Sequence, residues 1–333
     1  MGEERVAEWI HVKNGKHNGS EMSSSNKTAK QNQVQNRWSV KIGSKICQNR
    51  WPAIKARAGM VALSLSCCVP SGEVGRGADA VVYALPGAKV ALKVFHRRDA
   101  LRDELSRACV MHAHVVRVLA LDMAEGWMTM EMVAGPSLAQ VVERDGSMRG
   151  RALRRAVQDV LSGLQALHAH GEPHRDLKPS NVLQERSTQR CKLTDWIGRE
   201  AESASVAQGK PVGTPVFMAP EVAGAPHRHA FASDSWALGC TVLNLVSGRL
   251  PWSGADAHGR TDAFMAMWRA AHGHAPPRDE SRWTAELRGF VARCFEPDPC
   301  VRALPPALLA EPLLRGSVPM TGRALASDVS SGE

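Results

Sequence analysis

One stretch constrains this chain more than any other: His174-Arg-Asp-Leu-Lys-Pro-Ser-Asn181. A run with helical spacing, Gly150–His170, precedes it and stops at Gly171. The segment that follows places Lys178 two residues and Asn181 five residues after Asp176. That array of carboxylate, ammonium and amide is too specific to be an accident of loop composition.

The surroundings of the loop have a clear order. Residues 69–93 read as short alternating strands with glycine-rich turns, and Lys89–Phe95 is an apolar strand. Asp99 can cap a helix with Leu101, Leu105, Ala108 and Met111 on its inner face. Trp127–Val133 is a further strand, and beyond Gly135 the pattern turns helical at Gly150–His170, Ser233–Ser247 and Trp283–Glu296. Strands first and helices afterwards predict an α+β chain: a small sheet lobe, then a larger helical lobe. With 333 residues, 44% of them hydrophobic, the chain can bury a core.

Several classes are set aside. The longest apolar stretch, Met60–Val69, carries Ser64 and Ser66 and is half the roughly twenty residues a spanning helix needs. Glu3, Glu4 and Glu8 argue against a secretory leader, and Val6 stands where a myristoylation pattern after Gly2 asks for Ser or Thr. Eight cysteines without a CxxC pair read as reduced thiols, and no zinc-ligand spacing is present. The expected location is the cytosol or the nucleus.

Charge divides the chain. The first sixty residues hold eleven Lys and Arg against four Glu, most of the net charge of +9, among many Asn, Ser and Gln. Residues 1–68 therefore read as a basic, polar tail, and 316–333 as a short C-terminal one. The basic tail could hold acidic partners or be merely solvated; it carries no readable nucleic-acid motif.

Taken singly, Gly75-Arg-Gly77 is a turn and Lys93 in Val90-Ala-Leu-Lys93 is a strand lysine. Their order is informative. A glycine loop (Val74-Gly-Arg-Gly77, then Val82) precedes Lys93, the helix residue Glu104 and the segment Met130-Glu131-Met132-Val133. Then come His174-Arg-Asp176, Asp195-Trp196, Ala219-Pro-Glu221, Asp234-Ser-Trp-Ala-Leu-Gly239 and Arg302. This succession resembles the eukaryotic protein kinase family over residues 69–315, with an N-lobe at about 69–132 and a C-lobe at about 136–315.

The resemblance implies ATP and Mg²⁺ as cofactors and a role for each matched residue. Nucleotide contacts fall to Gly75, Gly77, Val82, Ala91, Lys93, Met130, Glu131, Val133 and Leu183. Glycine, lacking a Cβ, lets backbone N–H groups approach phosphate. Lys93 would hold the α- and β-phosphates, oriented by Glu104, which is preferred over Asp103 because it leaves Leu105, Ala108 and Met111 inward. Asn181 and Asp195 supply the hard oxygen ligands that Mg²⁺ prefers. Asp176 would accept the proton of the acceptor hydroxyl and Lys178 would steady the moving phosphate. Lys178, with Thr214 in Gly213-Thr-Pro, looks like the serine/threonine type acting on a protein substrate. Gly135-Pro-Ser-Leu and Gly213-Thr-Pro-Val-Phe-Met-Ala-Pro-Glu221 look like the mitogen-activated protein kinase kinase kinase branch. Glu221 should pair with Arg302, and Asp234 should hold the catalytic-loop backbone.

The chain departs from the family pattern in four respects. Ile197 stands in Asp195-Trp196-Ile197-Gly198 where glycine is usual, and a β-branched residue resists positive φ. Asp79 and Ala80 occupy the glycine-loop tip, Glu104 follows Lys93 by only eleven positions, and Glu172-Pro173 replaces an apolar pair before His174. A large Trp196 against a small Ala108 suggests a volume exchange between the lobes. Arg175 marks a type in which a loop phosphate is captured by arginine, with Ser203 and Ser205 as candidates. The alternative to an active enzyme is a pseudokinase, the same fold used as a binding module.

Overall fold

The computed structural model describes residues 72–76, 80–85, 89–96, 101, 110–122, 125–197, 207, 212–224, 231–253 and 262–315. Five strands open it: β1 (Gly72–Arg76), β2 (Ala80–Leu85), β3 (Val90–Phe95), β4 (Val118–Asp122) and β5 (Trp127–Glu131). They form one antiparallel sheet in the order β1-β2-β3-β5-β4. β3 is Val-Ala-Leu-Lys-Val-Phe, β-branched and apolar except at Lys93, which suits an inner strand paired on both edges. Register aligns Gly75 with Val82, Val82 with Lys93, and Lys93 with Met128, so one row crosses the sheet through three predicted site residues.

The helical part follows as expected, with ends moved by a few residues. Helix α1 (Leu138–Asp145) starts in a capping box, Ser137 Oγ accepting from the Gln140 N–H and the Gln140 side chain accepting from the Ser137 N–H. Helix α2 (Gly150–Ala169) buries Leu153, Ala156, Val157, Val160, Leu164 and Leu167 at helical spacing. A two-stranded ribbon, β6 (Val182–Gln184) and β7 (Cys191–Leu193), follows the catalytic loop. Next are the short α3 (Pro220–Gly224), then α4 (Phe231–Ser247), α5 (Ala263–Ala271), α6 (Ala285–Cys294), and the short α7 (Pro305–Leu309) and α8 (Pro312–Arg315). Every residue of α4 from Ala232 to Val246 is buried, so it is the axis of the C-lobe core.

Three expectations need correction or fall elsewhere. Met111 is 73% exposed, whereas Val110 is buried; the chain is not helical at these two residues, so helical spacing does not decide which side chain points inward. β5 ends at Glu131 rather than Val133, because Val133 belongs to the link into the second lobe. Leu101 is fully buried as expected, but Asp99, Asp103, Glu104, Leu105 and Ala108, on which the expected helix rests, lie outside the described residues. No helix among the described residues is long and apolar enough to cross a membrane.

Candidate active site

The catalytic loop is built from below. Asp234, at the start of α4, is buried, and its carboxylate accepts from the backbone N–H groups of His174 (2.7 Å) and Arg175 (3.0 Å). His168 Nε2 completes the set at 2.7 Å. Burial pushes the Asp234 carboxyl up, but the His168 contact, the nearby His174 and the backbone donor outweigh it and hold the group below the usual carboxylate range. Asp234 thus fixes the loop backbone, as its sequence position suggested.

Above this anchor the side chains converge on Asp176. Lys178 Nζ donates to Asp176 Oδ2 and to Thr214 Oγ1, both at 2.7 Å, and the Thr214 hydroxyl donates to Asp176 Oδ1 at 2.7 Å. The predicted contact between Lys178 and Thr214 is therefore present. Asn181 Nδ2 donates to the Asp176 carbonyl (2.8 Å) and to Asp176 Oδ2 (3.1 Å), which turns its amide oxygen the other way. Gly213 makes the approach of Thr214 feasible. Its φ is +103°, and a Cβ there would lie 2.7 Å from the Arg175 carbonyl oxygen.

Asp195 reaches the same place from β7. The Thr194 N–H donates to the Asn181 carbonyl at 3.0 Å, which sets the two predicted metal ligands side by side in the fold. Lys93 Nζ meets Asp195 Oδ1 at 2.7 Å, so the strand lysine closes the site from the other lobe. Asp195 takes φ +57°, a left-handed conformation that Asp tolerates, whereas Ile197 does not have positive φ. The replacement of glycine by Ile197 is thereby accommodated. Trp196 is fully buried in the C-lobe core; its proposed partner Ala108 lies outside the described residues.

The nucleotide-facing residues also gather. Ala91 and Met130 are cross-strand partners in an apolar cluster, and Val82, Val133 and Leu183 pack against it. Leu183 comes from β6, so this lining draws on both lobes. The Glu131 N–H is spent on the Arg117 carbonyl and the Met132 N–H on the Lys89 carbonyl, whereas the Val133 N–H meets no backbone acceptor among the described residues. An apolar slot with a free edge donor fits a planar heterocycle, and a carboxylate beside an amide oxygen fits a hard divalent cation. Gly75 lies in β1; Gly77, Asp79 and Glu104 are outside the described residues, and so is the expected Lys93–Glu104 pair.

Some contacts were not foreseen. Lys192 Nζ pairs with Glu131 Oε1 at 2.7 Å, tying β7 to the inter-lobe link; its alternation with buried Cys191 and Leu193 was the available signal. Asp159, on the buried face of α2, accepts from the Cys191 N–H (2.8 Å) and pairs with Arg190 (3.0 Å). An acidic residue inside an apolar helical stripe could have announced that. Farther off, the expected Glu221–Arg302 pair is bidentate, at 2.7 and 2.9 Å, with the Arg302 side chain fully buried and its remaining donors on the carbonyls of Ala232, Glu296 and Pro297.

Known proteins are similar to this chain. A family model described as the protein kinase domain matches residues 69–314. Mitogen-activated protein kinase kinase kinase 2 of Arabidopsis thaliana is 30% identical over 211 residues, covering 62% of this chain and 31% of that protein. Mitogen-activated protein kinase kinase kinase 3 of the same plant is 26% identical over 226 residues, covering 67% and 36%. The chain spans about a third of the length of these curated relatives. Among solved structures, a crystal structure of Rad53 1-466 in complex with AMP-PNP superposes with a TM-score of 0.58 at 25% identity, over 74% of this chain and 65% of that one.

Proposed function

The chain belongs to the protein kinase family, and on that premise we propose that it transfers the γ-phosphate of ATP to serine or threonine hydroxyls of protein substrates, in a cascade of the mitogen-activated type. The domain so assigned is 69–315, flanked by the basic segment 1–68 and by 316–333, and its place is the cytosol or the nucleus. The observation that carries the reading is the convergence of Asp176, Lys178, Asn181 and Thr214 in one hydrogen-bonded set, with Asp195 and Lys93 closing over it.

In this reading the slot of Val82, Ala91, Met130, Val133 and Leu183 takes the adenine ring, with the link backbone at Glu131 and Val133 at its edge. The glycine loop at Gly75 and Gly77 lies over the phosphates, and Lys93 exchanges its Asp195 contact for them. Asn181 and Asp195 would hold Mg²⁺, which neutralises charge on the transferring group. Asp176 accepts the proton of the incoming hydroxyl; Lys178 follows the charge from ground state to transition state. Lys178 and Thr214 support the serine/threonine class. Nothing in the comparisons favours a non-catalytic module.

The test is transfer of labelled γ-phosphate to a generic basic protein, followed by phosphoamino-acid analysis, with wild type beside Asp176→Asn. Label on serine and threonine that vanishes in the variant is expected. Folded wild type that transfers nothing overturns the reading.

A further inference from the structure

The pair Glu172-Pro173 departs from the family pattern, and it acquires a purpose in the fold. Arg175 is held with φ +66° and its N–H on Asp234 Oδ1, so the direction of its side chain is set by the backbone. Its guanidinium is almost fully buried, with 3% of the side chain exposed, and it meets the Glu172 carboxylate at 3.2 Å, itself 11% exposed. The same Nη1 donates to the carbonyls of Pro173 (3.0 Å) and Ile197 (2.8 Å). Ile197 closes the circuit, its N–H donating to the His174 carbonyl at 3.0 Å. Both residues of the unusual dipeptide thus serve Arg175, and Arg175 grips the backbone two residues after Asp195.

An arginine next to a catalytic aspartate is the natural partner for a phosphate added to a neighbouring loop, which orders that loop by a new charge-assisted contact. Here the chain supplies the anion itself. We propose that Glu172 is a positioning residue, an internal counter-ion that takes the place of a loop phosphate on Arg175 and keeps the Asp195–Ile197 segment in its working position without modification. The proposal rests on the kinase reading above and deepens it to the regulation of the same site. Taking the Glu172 carboxylate away from a buried guanidinium is costly, so Glu172 should matter far beyond an ordinary surface acid. A phosphate added to the following loop would meet a guanidinium already neutralised.

The full chain, treated with phosphatase and confirmed unphosphorylated by intact mass, is compared as wild type, Glu172→Gln, Arg175→Gln and the double variant. Two readouts are taken: amide hydrogen exchange of the peptide covering Asp195–Ile197, and the rate of phosphoryl transfer at saturating ATP. Unphosphorylated wild type is expected to protect that peptide and to transfer at a rate within about twofold of the untreated protein. Glu172→Gln should exchange the peptide at least tenfold faster while peptides from α4 stay unchanged, and should lower kcat more than it alters KM for ATP. The double variant should be no worse than Arg175→Gln alone, because Glu172 acts through Arg175. Unchanged exchange in Glu172→Gln, acceleration spread over the whole C-lobe, or a wild type that protects the peptide only when phosphorylated would each overturn the proposal. If no variant transfers phosphate, the exchange data still decide the role of Glu172, and it is the kinase reading that fails.

Discussion

The two sides of the cleft are held by different means. On the C-lobe side, the catalytic loop is anchored by Asp234 beneath, crossed by Asn181 and Thr214 above, and gripped laterally by Arg175. These groups are buried or half-buried, where each hydrogen bond is costly to break. On the N-lobe side, β1 is exposed along nearly its whole length, and its side-chain pair, Arg76 with Glu73, lies at the surface. Its position comes from the β1–β2 ladder, which is itself interrupted by a bulge between Glu73 and Gly75. The proposed phosphoryl transfer asks for that asymmetry. The groups that meet the reacting atoms must be fixed in advance, whereas the cover over the nucleotide must let it enter and leave.

Substitutions can break this contrast. Glu221→Ala strands the buried Arg302 guanidinium, which also lies over the Trp236 ring at 5.2 Å; a loss of about 3–5 kcal/mol in urea unfolding is expected. Asp234→Asn leaves the loop N–H groups with a weaker acceptor and should cost about 2 kcal/mol at neutral pH. Its effect has a pH signature. A carboxyl held low in the fold stabilises fully above its unfolded value, about 3.9, and that stability is lost as pH falls through the lower folded value. The gap between wild type and Asp234→Asn should therefore be constant from pH 8 to about 5 and close below about 4. Trp196→Phe removes part of a fully buried ring and should cost about 1–2 kcal/mol, with reduced transfer; unchanged Tm and activity would exclude a packing role for the indole. On the other side of the cleft, Glu73→Ala should shift stability by less than about 0.5 kcal/mol, as befits a solvent-exposed pair. An effect as large as that of Glu221→Ala would abolish the contrast.

How much of this was legible beforehand follows the same division. The catalytic loop could be read because its residues are close in sequence and each has a job no other residue type does as well. Asp234 and the Glu221–Arg302 pair were also readable, since buried ionic groups need fixed partners and their order along the chain was distinctive. Met111 misled because apolar spacing alone does not make a residue helical. β4 escaped notice because its run is short, and α5 because its nine residues are few, although Asp262 caps its start and Gly273 follows its end. Glu172 was legible only as a departure; that its carboxylate returns to Arg175 is a matter of backbone direction, which spacing does not encode.

The most direct test of the account sets the two sides of the cleft against each other in a single series. ATP affinity and the rate of transfer at saturating ATP are measured for wild type, Lys93→Met and Asp176→Asn. Lys93→Met is expected to weaken nucleotide binding, and Asp176→Asn to leave binding intact while slowing transfer by about 10³-fold, within the range for a positioned proton acceptor. Transfer by Asp176→Asn at the wild-type rate would contradict the assignment of chemistry to the catalytic loop and, with it, the division of labour described above.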